Sequence, residues 1–189
     1  MNPTPRKLEI ITIASALFKD RGFSAVTMRD IAKAMGIKAA SLYNHIKNKE
    51  EILTFIIISL AEEFINGIDK IKEENNTSID KLKKIIALHV DIATKNTNGM
   101  ASLNNDWMHL NDQLDYYLSL RVNYEDTFRT IINEGIKKNE IKSINSDIML
   151  FSILSTLRSL YIWIPQKEDM NSSLLATNLS EVLLKGINK

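Results

Sequence analysis

The chain lacks cysteine entirely and has three prolines, six glycines and three histidines among its 189 residues. Without thiols there can be no disulfide framework, no thiolate-ligated zinc and no cysteine nucleophile. Residues Met1–Leu8 are polar and proline-broken rather than signal-like, and together with the missing thiols they point to a cytoplasmic protein. So few glycines and prolines leave too little turn chemistry for a many-stranded sandwich or barrel. They also exclude collagen-like and low-complexity chains. The scattered histidines and the lack of a glycine-rich phosphate loop give no nucleophile, base or metal constellation, so no enzyme, cofactor or metal is expected.

What is present is a hydrophobic fraction of 44% with 25% charged residues, enough for a sizeable core. The net charge of +1 conceals an asymmetry. Residues 1–53 carry nine Lys/Arg against five Asp/Glu, and the remainder fifteen against eighteen. A small basic head on a larger, mildly acidic body suits a nucleic-acid reader with a second task.

Apolar residues recur at helical spacing almost throughout, which predicts an all-α fold of about nine helices. Ile10, Ile13, Ala14, Leu17 and Phe18 stripe a first helix that Thr4 and Pro5 open and Gly22 closes. Thr27, with Asp30 three residues on, opens a second helix that Gly36 stops. A third is expected around Lys38–His45. Asn48 with Glu51 starts a long fourth helix running to about Lys72. Beyond a polar connection at 72–78, helices are expected over Ile79–Thr94, in an irregular stretch between a loop at Asn96–Gly99 and Asn111, and over Asp112–Asn139, Ser146–Ile164 and Ser172–Ile187. Ile148–Ile164 is apolar, but it is short for a membrane span and contains Arg158. It reads as a helix buried by neighbours on several sides.

The second and third helices have helix-turn-helix logic. Ala32 permits close approach, Gly36 takes the tight turn and Leu42 anchors the following helix. A core of Phe18, Phe23, Val26, Ile31, Ile37, Leu42 and Ile46 leaves Lys38, Ala39, Ala40, Ser41, Tyr43 and Asn44 on the outer face. Small residues there admit the helix to a DNA major groove, Lys38 can address guanine or phosphate, and Asn44 can pair with adenine. Tyr43, His45, Lys47 and Lys49 would reach phosphates, as would Thr27 at the start of the second helix. Singly, each has a plainer reading: Tyr43 a half-buried aromatic, Thr27 a cap, the lysines a solvated rim. Together, at this spacing, they point to double-stranded DNA.

Ala16-Leu17-Phe18, Arg21-Gly22-Phe23, Val26-Thr27-Met28-Arg29-Asp30-Ile31-Ala32, Met35-Gly36-Ile37, Ser41-Leu42-Tyr43-Asn44-His45 and Lys49-Glu50-Glu51-Ile52-Leu53 together resemble the N-terminal domain of the TetR (tetracycline-repressor-like) family. The resemblance implies a homodimeric transcription factor, usually a repressor, with a helical C-terminal domain that binds a small molecule and dimerises. It also implies phosphate contacts at Thr27, Tyr43, His45 and Lys49, with bases met by the middle of the third helix. The chain departs from the pattern at Lys38 (usually Ser or Thr), Ala40 (usually Gly) and Ile46 (usually Phe), so an operator preference does not carry over. The domains expected are a head at 1–50 and an effector and dimerisation domain at 51–189, linked by the helix from Asn48.

In that second domain Ile148, Phe151, Leu154, Leu157 and Tyr161 stripe one helix, and Leu175, Leu179, Val182 and Leu183 the last. Each carries apolar residues on more than one side, which suits a four-helix interface with a second copy. Interface candidates are Phe151, Leu154, Ser155, Leu175, Leu179, Val182 and Leu183. Along the long helix, Arg121 lies in a stripe with Tyr117, Tyr124, Phe128 and Ile131, so it must meet an anion. That anion is either an acid of the chain, Glu125 one turn on or one elsewhere, or an effector carboxylate or phosphate. His89, Trp107, His109, Arg158 and Trp163 are further candidates to line an effector cavity, against ordinary core packing for each and, for His89, metal ligation as a third reading. Trp107-Met108-His109-Leu110, Arg121, Tyr124-Glu125, Phe128, Ile131-Ile132, Gly135, Glu140-Ile141 and Asp147 resemble the C-terminal domain of a TetR subgroup that senses acyl-CoA thioesters, with Asn139 where the subgroup has Gly. Operator release by an apolar or amphipathic effector is the expectation. A DNA-binding or adaptor protein with no small-molecule effector is the alternative.

Overall fold

The computed structural model describes residues 3–167 and 170–186. Among them the chain is all-α, with no strand and ten helical segments. These are α1 (Pro5–Arg21), α2 (Met28–Ala34), α3 (Ala39–Tyr43), α4 (Lys49–Glu73), α5 (Ser78–Lys95), α6 (Thr97–Asn105), α7 (Leu114–Lys137), α8 (Ser146–Arg158), α9 (Leu160–Trp163) and α10 (Ser172–Lys185). Single 3-10 turns lie at Phe23–Ala25, Trp107–His109, Asn111–Gln113 and Ile164–Gln166. The nine expected helices are there, with two corrections. The loop at Asn96–Gly99 shrinks to Asn96, and the helix expected over Ser146–Ile164 breaks at Ser159 into α8 and α9. The expected end of the last helix at Ile187 lies outside the described residues.

The chain divides into two compact units, Met1–Ala61 with Asn98–Leu118, and Glu62–Thr97 with Ser119–Lys189. This partition cuts the chain elsewhere than at residue 50, because α6 and the start of α7 fold with the head.

In the first unit the helix ends follow from local chemistry. Thr4 accepts from Lys7 N at 3.3 Å with Pro5 in the first turn of α1. Thr27 and Asp30 form a complete capping box on α2. Gly36, at φ +67°, ends α2 with two bonds, Gly36 N to Lys33 O at 3.1 Å and Ile37 N to Ala32 O at 3.0 Å. This is a Schellman closure, which needs the left-handed backbone that glycine adopts without strain. Helix α3 is five residues long and could not persist alone. Leu42, wholly buried, and Ile46 anchor it on a core of Ile10, Phe18, Phe23, Val26 and Ile31. Burying a leucine side chain contributes about 2 kcal/mol. Ile37, expected in this core, is half-buried.

In the second unit α5 packs on α8, α9 and α10, with Leu82, Ile85, Ile86, Val90, Phe128, Ile131 and Leu157 in the core. Helix α7 closes at Asn139, φ +58°, with Asn139 N donating to Ile136 O and Glu140 N to Gly135 O. The Glu140 carboxylate then accepts from Ser78 N, in the first turn of α5. A Cβ at Gly135 would lie 2.7 Å from Ser78 Cβ, so only glycine lets α7 come this close.

Candidate functional site

The first unit presents α3 outward. Lys38, Ala40, Ser41, Tyr43, Asn44, His45 and Lys47 are exposed, and Ala39 is half-buried. Tyr43 is 54% exposed, which removes its reading as a core aromatic. The face is therefore a short ridge of small side chains flanked by a cation and an amide, with a phenol, an imidazole and a lysine at its end.

Thr27 is exposed, but its hydroxyl belongs to the capping box: it accepts from Asp30 N and donates to the Asp30 carboxylate. Donation from the Thr27 hydroxyl, and then from the Thr27 backbone N–H at 2.9 Å, holds the Asp30 carboxyl below the usual carboxylate range. Lys49 requires a correction. Instead of reaching outward to a phosphate, its ammonium donates to Phe23 O at 2.9 Å, Val26 O at 3.0 Å and Ser24 O at 3.4 Å, 4.3 Å from the centre of the Phe23 ring. Phe23 O also accepts from Val26 N at 3.3 Å within the 3-10 turn, and Lys49 adds a shared donor to the three carbonyls, fastening the start of α4 to the segment before α2. Asn48 caps α4 by accepting from Glu51 N at 2.8 Å, while the Glu51 carboxylate accepts from Lys47 N and from Lys7 Nζ. Burial acts to raise the Glu51 carboxyl, and those bonds more than reverse it.

Three residues expected to face an effector fold in this same unit. The His109 ring packs 5.0 Å from that of Phe23, Trp107 stacks on Tyr117 at 6.0 Å, and the Tyr117 hydroxyl donates to Leu103 O at 3.4 Å.

In the second unit His89 is 4% exposed and Tyr124 7%. His89 Nε2 lies 2.8 Å from the Tyr124 hydroxyl. Phe64 packs 4.6 Å from the His89 ring and 5.8 Å from that of Tyr124, and Phe128 stands edge-on to Tyr124. Burial, with the Arg158 charge behind it, pushes the His89 imidazole down to about 3; burial pushes the Tyr124 phenol up. Both groups are neutral at ordinary pH. Beside them, Glu125 accepts from Arg158 at 2.6 Å and from Arg121 at 3.3 Å. Burial acts to raise the Glu125 carboxyl, and the two guanidinium groups, Arg158 foremost, hold it below its ordinary value. Of the two readings of Arg121, the pairing with Glu125 is present. Trp163 is 41% exposed with Lys167 over its ring.

A cavity of about 880 Å³ lies between α5 and α10, lined by Ile79, Ala87, Val90, Ala176 and Leu184 together with lysines, hydroxyls and the carboxylates of Asp91 and Glu181. None of the sequence-selected residues lines it. The signal that pointed there is the run of small and hydroxyl residues on α10, Ser172, Ser173, Ala176, Thr177 and Ser180, which keeps that face shallow.

Among the interface candidates Phe151 is 73% exposed, Val182 52%, and Ser155 is exposed. Leu179 and Leu183 are half-buried. Leu154 and Leu175 correct the expectation: both are buried in their own unit, each facing the core within its chain. Ile148, part of the apolar stripe but not among the interface candidates, and Ile162 and Leu174, which the stripes omit, are all more than half exposed.

Residues 10–54 match the family model of bacterial regulatory proteins of the tetR family, and residues 75–187 match that of the tetracyclin repressor-like C-terminal domain. The chain is 26% identical over 140 residues to the HTH-type transcriptional repressor KstR2 of Rhodococcus jostii, covering 73% of this chain and 69% of that protein. It is 25% identical over 193 residues to the fatty acid metabolism regulator protein of Bacillus subtilis, covering 97% and 96%. Its fold superposes with a TM-score of 0.91 on the ketosteroid transcriptional regulator KstR2 of Mycobacterium tuberculosis, at 20% identity, covering 100% of this chain and 97% of that one.

Proposed function

Because the chain belongs to the TetR family, whose members are dimeric DNA-binding transcriptional regulators and not enzymes, we propose that it is a cytoplasmic repressor released from a palindromic operator by a small amphipathic effector of the acyl-CoA type. The observation that carries the DNA half is the outward face of α3, with Tyr43 exposed and Leu42 buried beneath it.

Lys38, Ala39, Ala40, Ser41 and Asn44 meet base edges, and Thr27, Tyr43, His45 and Lys47 meet phosphates. Lys49 acts by fixing the start of α4 behind them. Two copies pair through the exposed faces of α8 and α10, centred on Phe151 and Val182. Their recognition helices then enter successive major grooves about 34 Å apart. The effector binds the residues from about 51 onward and favours an arrangement in which the heads lose that spacing, shifting the equilibrium only by its differential affinity for the two states. Its class is supported by the names of two relatives, which concern fatty acid metabolism and ketosteroids, and by the cationic pair Arg121 and Arg158.

Selection of bound sequences from random DNA, repeated with acyl-CoA esters, tests this reading. We expect one palindromic sequence, lost when the ester is added. Tyr43→Ala weakens binding to all sequences, whereas changes at Lys38 or Asn44 alter which sequence is preferred. Equal losses on operator and random DNA for both sets overturn the assignment of readers, and an unselective pool overturns the function.

A further inference from the structure

Glu51 does more in the first unit than a helix cap requires. In a capping box the acid three residues into the helix reaches back to the amide of the cap itself. Here the cap is Asn48, which accepts from Glu51 N at 2.8 Å, but the Glu51 carboxylate reaches one residue further out. Its Oε2 accepts from Lys47 N at 2.8 Å, in the turn between α3 and α4. Its Oε1 accepts from Lys7 Nζ at 2.6 Å, in the first turn of α1 and 44 residues earlier in the chain. One carboxylate therefore ties that turn to α1, with an oxygen on each.

The turn carries His45 and Lys47, both exposed at the end of the α3 face. Electrostatics alone disfavours a carboxylate beside groups that meet phosphates, because it repels what they attract. Burial works against ionisation of Glu51, and the bonds from Lys7 and Lys47 outweigh it, so the group is an anion at neutral pH. The Lys7 and Glu51 side chains are 27% and 29% exposed, so the pair is partly withdrawn from water and screened less than a surface pair.

We propose that Glu51 and Lys7 are positioning residues for DNA binding, neither touching the duplex: Glu51 fixes the turn that offers His45 and Lys47 to phosphates, and Lys7 anchors the Glu51 carboxylate to α1. The inference rests on the DNA-binding reading above and deepens it, assigning a role to two residues outside the recognition face.

Fluorescence anisotropy of the full chain on the operator recovered by selection, and on a random duplex of equal length, tests it. Measurements at about 0.15 M salt, where charges beyond roughly 8 Å are screened, separate placement from long-range charge. Glu51→Ala is expected to bind the operator about tenfold more weakly, the value of one hydrogen bond to a charged group. The loss on random DNA is smaller, since its contacts need no fixed register. Glu51→Gln, which keeps an acceptor for Lys47 N, restores most of the affinity. Lys7→Met weakens operator binding about threefold, part of that same hydrogen-bond value. The cycles carry the decision. In a His45→Ala/Lys47→Ala background Glu51→Ala costs nothing further, and in a Glu51→Ala background Lys7→Met costs nothing further. Lys7→Met, measured beside Glu51→Gln, covers a Glu51→Ala chain that does not fold. A Lys7→Met loss that persists undiminished without Glu51, with a salt slope lower by about one, makes Lys7 a direct phosphate contact and overturns the proposal. So does a Glu51→Ala loss undiminished without His45 and Lys47, which marks a structural role, or no loss at all. A wild-type chain that selects no operator overturns the DNA-binding reading itself, so the two fail separately.

Discussion

Burial decides what His89 contributes to stability. Its imidazole stays neutral down to about pH 3 in the fold, against an ordinary value of 6.5 in the unfolded chain. The folded value is the lower one, so on acidification the unfolded chain takes up the proton first. The contribution is intact above pH 6.5 and is lost progressively as pH falls from there toward 3. Urea unfolding at about pH 5.5 should show a stability about 1.4 kcal/mol lower than at pH 8 from this group alone. Above about pH 5 the carboxylates add little, and His89→Leu should flatten that part of the profile. An equal decline in wild type and variant would refute the assignment. Residues whose chemistry is local were legible in advance: Thr27 with Asp30, Asn48 with Glu51, and Arg121 with Glu125 are three or four positions apart. Lys49 was not, because its carbonyl partners lie 23 to 26 residues earlier in a turn whose geometry no periodicity reveals. The second guanidinium on Glu125 comes from 33 residues away and was invisible for the same reason.

At the scale of elements, the sequence showed most where a glycine or a cap marks an end and least where side-chain hydroxyls reshape a helix. Gly36 announced the turn between α2 and α3. The break at Ser159 had no glycine or proline to signal it. Its cause is the run Ser152, Ser155, Thr156 and Ser159: Thr156 Oγ1 donates to Ser152 O and Ser159 Oγ to Ser155 O, loosening the backbone ladder at the end of α8. The α7 terminus gives the sharpest test of an element end. Asn139 has φ +58°, a conformation asparagine tolerates better than any residue with a branched or apolar Cβ substituent. Asn139→Ala should lower stability by about 1 kcal/mol and Asn139→Gly should leave it level or raise it. Thermal melts of the two variants check this, and an alanine variant as stable as the glycine one would show that the left-handed closure carries no weight. Because Glu140 follows directly and caps α5 at Ser78, the alanine variant should also speed amide exchange in the first turn of α5.

At the scale of the whole molecule the question is what covers α8 and α10. Ile148, Phe151, Ile162, Leu174 and Val182 are all more than half exposed in the single chain, a concentration of apolar surface that isolated soluble domains avoid. The segment Ser146–Gln166 is apolar enough to suggest a membrane span, with a mean hydropathy of 1.5. Yet its longest unbroken helix, α8, has 13 residues and extends about 20 Å, short of the roughly 30 Å hydrocarbon core. Arg158 at its end is committed to Glu125. A second copy meets the requirement better, since a twofold axis sets Phe151 and its neighbours against the same residues. Phe151→Asp would place a carboxylate in the middle of that interface opposite its own symmetry mate, and should dissociate the dimer at micromolar concentration in sedimentation experiments while leaving the helical content unchanged. Operator affinity should then fall by at least about a hundredfold, because two linked heads gain from effective concentration what one cannot. The residual binding of single heads should lose about half of the salt dependence, since half of the phosphate contacts are gone. A Phe151→Asp protein that still sediments as a dimer and keeps its operator affinity would mean that the copies meet through another surface and that this apolar face serves a different partner.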